Sequence, residues 1–70
     1  MKRTPLEVIE REIEAAKTSA HPPTTISYAS GMIVMAEVSC AITHAQASEL
    51  ERRLHTIENA YWAKQLGVVA

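Results

Sequence analysis

Ile26-Ser27-Tyr28-Ala29-Ser30-Gly31-Met32-Ile33-Val34-Met35-Ala36-Glu37-Val38-Ser39-Cys40-Ala41-Ile42 is the stretch on which the fold turns. Glu37 is the only charged residue between Lys17 and Glu49, so a helix here is apolar around most of its circumference. Two seams run along it at helical spacing. Ile26, Ala29, Ile33, Ala36 and Cys40 form one, rich in small residues that let another helix approach closely. Tyr28, Met32, Met35, Ser39 and Ile42 form the other. A helix apolar on all sides is either a buried central helix or a membrane span. Residues 26–42 are at the short limit for a span, with Glu37 and three serines inside and no basic cluster at the C-terminal flank. A buried helix over 25–42 is therefore the expectation, with membrane association through it the third reading.

The flanks are amphipathic. Thr4-Pro5-Leu6-Glu7 is a capping box with proline at the first helical position, and Leu6, Ile9, Ile13 and Ala16 follow as one apolar stripe. This predicts a first helix over 4–19, with Glu7–Arg11 as an ion pair and Glu10, Glu12, Glu14 and Lys17 on its solvated side. His21-Pro22-Pro23 ends it, and 20–25 reads as a stiff connector. Thr43 with Gln46 three residues on opens a third helix over 44–66. Ser48-Glu49-Leu50-Glu51 is a competing start, and a single rod from 26 to 66 is the rival, since neither Gly nor Pro marks the break. Ala47, Leu50, Leu54, Ile57 and Tyr61 form the last stripe, Glu49–Arg53 a further ion pair, and Gly67 a stop after Leu66.

These segments predict an all-α single domain over 1–70: an antiparallel hairpin of helices 2 and 3 plus an N-terminal amphipathic helix. Seventy residues with one cysteine have no disulfide to add to a small core. Self-association, as a homodimer or higher oligomer, is the expected supplement. The net charge of −1, with Arg52, Arg53 and Lys64 the only local cluster of basic residues on the helices, argues against a nucleic-acid binder. The charged start of the chain lacks the apolar core of a signal peptide, so a cytoplasmic setting is expected.

Glu37, Cys40 and His44 are metal-competent residue types at 3- and 4-residue steps. A structural zinc needs a fourth ligand, and a turn at Thr43 moves His44 off the stripe, so neither metal nor cofactor is expected. A Cys40–His44 nucleophile would need an imidazole-orienting group and an oxyanion site, and the chain contains no Asp. A non-catalytic role follows. Glu37, costly if buried alone, is expected either to face a cavity or solvent or to pin the helices by meeting Arg52, Arg53 or a backbone donor. With Met32, Met35 and Cys40 it also marks a subunit interface or small-ligand pocket. Tyr61 and Trp62, beside Arg52, His55 and Glu58, form the surface expected to bind a partner protein.

Ile42-Thr43-His44-Ala45-Gln46-Ala47-Ser48-Glu49-Leu50-Glu51-Arg52-Arg53-Leu54 resembles the I-T-x-x-Q/E-x-x-x-L-x-x-x-L helical tails of small bacteriophage and prophage accessory proteins, over about a fifth of the chain. The resemblance implies a stoichiometric inhibitor, adaptor or sequestering agent directed at host machinery. It assigns no functional residues.

Overall fold

The computed structural model describes residues 3–67. Three helices follow one another: α1 (Pro5–Thr18), α2 (Pro22–Val38) and α3 (His44–Gln65). Glu37 of α2 meets His44 of α3, while Ile26 and Ser27 share a groove with Leu54 and Glu58, so α2 and α3 form the antiparallel hairpin. Arg53 reaches Glu10 and Glu14, and Tyr61 sits near Ala16, so α1 runs parallel to α3 in an up-down-up order.

Both capping boxes form. The Thr4 hydroxyl accepts from the Glu7 N–H at 3.2 Å, and the Glu7 carboxylate accepts from the Thr4 N–H at 3.0 Å. Thr43 and Gln46 repeat the exchange at 3.1 and 2.8 Å. The Thr4 N–H, and then the Thr4 side chain, hold the Glu7 carboxyl below its ordinary range despite some desolvation. The unfolded chain therefore binds that proton more tightly. Glu7 stabilises the fold above the ordinary carboxylate range and loses this effect as pH falls through its lowered folded value. Glu7→Gln keeps the capping acceptor without the titration. Its melting temperature, followed by circular dichroism, should fall less steeply than the parent's between about pH 5 and pH 2.

α1 stops one residue inside the expected 4–19 at each end, and three further boundaries differ from the sequence expectation. First, α2 begins at Pro22 rather than 25, because both prolines occupy its first turn, where no intrahelical N–H donor is required. The connector shrinks to Ser19–His21, braced by the Ser19 hydroxyl, which accepts from the His21 N–H and lies 2.8 Å from the Thr25 hydroxyl. Second, α2 ends at Val38 rather than 42. Cys40 takes a left-handed conformation, φ 62°, and the Ala41 and Cys40 N–H groups donate to the Ala36 and Glu37 carbonyls at 2.8 and 3.0 Å. This is a Schellman turn with cysteine where glycine usually stands. Ile42, just before the Thr43 cap, is buried in the same core as Ala47, a staple that fixes the entry to α3. The single-rod alternative is thereby excluded. Third, α3 ends one residue before the predicted limit, with Leu66 as cap and Gly67 at φ 70°.

Cys40→Gly removes the steric cost of that left-handed residue. We expect it to raise unfolding stability by about 1 kcal/mol, measured as an increased urea midpoint at unchanged slope.

The core consists of Ile9, Ile13, Ala16, Ile26, Ala29, Ile33, Ala36, Ile42, Ala47, Leu50 and Leu54, with Leu6, Met32 and Ile57 packed at its edge. It matches the first seam of α2 except at Cys40, which is exposed because the helix has already ended. The second seam does not hold together. Ile42 is buried beyond the helix, Met32 lies at the core edge, and Tyr28 and Met35 remain 59% and 67% exposed.

Candidate interaction site

The five residues expected to bind a partner do not converge on one site. Arg52 is exposed and grips Glu49 with two guanidinium nitrogens. That hydrogen bond lowers the Glu49 carboxyl and raises the Arg52 guanidinium. With Lys17, Arg53, Thr56 and Ile57, Arg52 lines a cleft between α1 and α3. His55 and Glu58 line a different groove, of about 380 Å³, with Glu51, Leu54 and the α2 residues Ile26, Ser27 and Ser30. Tyr61 and Trp62 stay together: their rings meet edge to face at 5.1 Å and 78°. Tyr61 is half-buried and lines a larger groove, about 590 Å³, where the end of α1, the start of α2 and the end of α3 meet. Trp62 is 46% exposed and Leu66, one turn on, 72%.

The predicted ion pairs of the surface are also redistributed. The Glu7 carboxylate serves the Thr4 cap, leaving Arg11. Arg53, expected to pair with Glu49, crosses to Glu10 at 3.4 Å and Glu14 at 3.7 Å, so it ties α3 to α1.

The second set of residues is dispersed as well. Met32 packs on the core and Met35 faces outward. Glu37 and Cys40 share a shallow groove at the α2–α3 turn with Thr43, His44 and Gln46. Glu37 Oε2 lies 2.7 Å from His44 Nδ1, so the pinning partner of Glu37 is His44, not Arg52, Arg53 or a backbone donor. The seven-residue spacing brings them together through the left-handed turn at Cys40 rather than along a continuous helix. Among the described residues, no three His, Cys, Asp or Glu side chains are placed to hold a metal, and no hydrogen bond joins Cys40 to His44. Glu37 could orient the His44 imidazole, but the thiol is not within its reach.

What the helices do bring together is a strip that the sequence reading did not draw. Thr24, Ser27, Tyr28, Gly31, Val34, Met35 and Val38 are all exposed and span an arc of about 120° at 3.6 residues per turn. The strip lies directly opposite the buried Ile26–Ala29–Ile33–Ala36 seam and carries no charge. The signal was present as an uncharged run at 3- and 4-residue steps centred on Gly31. None of the described helices is long and apolar enough to cross a membrane. No family model, curated protein or solved structure matches the chain.

Proposed function

We propose that this chain is a non-catalytic helical protein that self-associates and regulates a partner protein by binding it stoichiometrically. The observation that carries this reading is where the apolar surface lies. Tyr28, Val34, Met35 and Val38 stand 52–74% exposed on α2, and Trp62 and Leu66 stand exposed at the end of α3. Scattered single apolar residues need no explanation, but clustered ones mark surfaces that another molecule covers. The two clusters suit two tasks: the α2 strip meets another copy, and the aromatic end of α3 meets the partner. Trp62 gives that second surface the kind of anchor on which binding energy concentrates. The resemblance of 42–54 to phage accessory tails fits an inhibitor or adaptor acting on a host protein.

The test of the partner reading is photo-crosslinking in cells from a benzophenone amino acid placed at position 66. One discrete adduct of fixed stoichiometry, lost in a Trp62→Ala chain that retains its helical circular dichroism, is the expected result. A smear of adducts indifferent to Trp62→Ala would remove the α3 surface from consideration.

A further inference from the structure

We infer that the α2 strip is the seam of an antiparallel homodimer, in which two copies of α2 cross at Gly31 about a two-fold axis lying in the interface. This rests on the self-association proposed above and specifies its site and its order.

Three features of the strip select a second copy as the occupant. The first is symmetry. Gly31 is the midpoint of Thr24–Val38, and of the residues at equal distances on either side the two largest, Tyr28 and Met35, each meet a smaller one. Tyr28 falls beside the partner's Val34, Met35 beside the partner's Ser27, and Val38 beside the partner's Thr24. A parallel arrangement would stack Tyr28 on its own copy and Met35 on its own copy, leaving gaps at Ser27. Antiparallel order also opposes the two helix dipoles. At the crossing itself, a Cβ built on Gly31 would meet nothing within 4 Å inside the chain. The space over Gly31 is therefore open for another backbone to approach.

The second feature is charge. An isologous interface brings every residue against its own surroundings, so a single charge near the axis repels its copy. The strip has none, and the only charged side chain of α2, Glu37, is held at the turn by His44. A helix that lay on a lipid surface would carry Lys or Arg along its flanks, and α2 contains neither.

The third feature is area. With Tyr28, Val34, Met35 and Val38 52–74% exposed side by side, the strip is an apolar patch of a few hundred Å², on the scale of the largest a monomer exposes. Two copies face to face, with the side chains that flank the strip, approach about 1,000 Å², the lower bound for a biological interface.

Gly31→Glu is the decisive variant. Within one chain the new side chain enters open space and replaces a poor helix former with a good one, so the fold is kept. Across the axis it sets two carboxylates against each other. Sedimentation equilibrium of the parent chain should show a monomer–dimer equilibrium. Gly31→Glu should weaken that equilibrium at least about 100-fold, with no loss of helicity. Single-cysteine chains in a Cys40→Ser background, bearing Ser27→Cys or Met35→Cys, supply the order. The mixture should form the 27–35 disulfide on mild oxidation, and neither chain alone should link to itself. Self-linked 27–27 and 35–35 products would overturn the antiparallel arrangement. A dimer that survives Gly31→Glu and forms no 27–35 link would overturn the α2 seam while leaving self-association intact. A parent chain that stays monomeric up to millimolar concentration would overturn both and leave the strip to a different polypeptide.

Discussion

Ile33→Ala should lower the free energy of unfolding by about 3 kcal/mol, read from urea denaturation at one fixed protein concentration. Ile33 is 1% exposed and lies in the middle of the buried seam of α2, the helix that packs on both α1 and α3. Among the described residues, four of the eleven in the core are alanines, so seven large side chains supply most of the apolar surface buried there. Removing three carbons from one of them forfeits their transfer free energy and leaves a cavity that short, capped helices close only in part. Domains of this size stand at the low end of a stability range of about 5–15 kcal/mol, so the loss is a large fraction of the whole. The urea midpoint should fall sharply with little change in slope. A loss below about 1 kcal/mol would mean that the α2 seam is not the centre of the core.

The parts of this fold that were legible in the sequence are those fixed by a few neighbouring residues. Thr4 with Glu7, and Thr43 with Gln46, announce helix starts because each cap is closed by side chains three positions apart. Gly67 announces a stop for an equally local reason, its tolerance of positive φ. The parts that were not legible depend on the third dimension. Pro22 and Pro23 break a helix interior yet suit its first turn, and sequence alone does not say which position they hold. Cys40 ends α2 without glycine, so the turn left no compositional mark, and with it went both the length of α2 and the partner of Glu37. Arg53 had a good one-turn partner in Glu49 and took Glu10 and Glu14 instead, because α1 lies alongside α3. The candidate site suffered most. On α3, Arg52 and His55 are close in sequence but line clefts on different sides of the helix. On α2, both arcs are apolar, and only the packing of α1 and α3 decides which is covered.

The two arcs of α2 can be told apart by making each of them larger. Ala29 is fully buried on the inner arc, and Gly31, two residues on, faces outward with nothing within 4 Å of an added Cβ. Ala29→Leu inserts three carbons where neighbouring helices already pack at close-packed density, so either the side chain leaves its rotamer wells or a helix moves away. The expected cost is about 2–3 kcal/mol, accompanied by looser near-ultraviolet signals from Tyr61 and Trp62 if α1 and α3 are pushed apart. Gly31→Ala should have the opposite sign in the monomer, adding about 0.5–1 kcal/mol by restricting the unfolded chain and favouring the helix. Measured side by side in urea at low micromolar concentration, the pair makes each variant the control for the other. Helix propensity alone would cost Ala29→Leu only a few tenths of a kcal/mol, so a loss of about 2–3 kcal/mol reads packing and not propensity. If Ala29→Leu were tolerated within about 0.5 kcal/mol, the small residues at 29 and 36 would no longer mark a close helix approach. The outward strip would then lose its claim to be the free face of a helix that is packed on one side only.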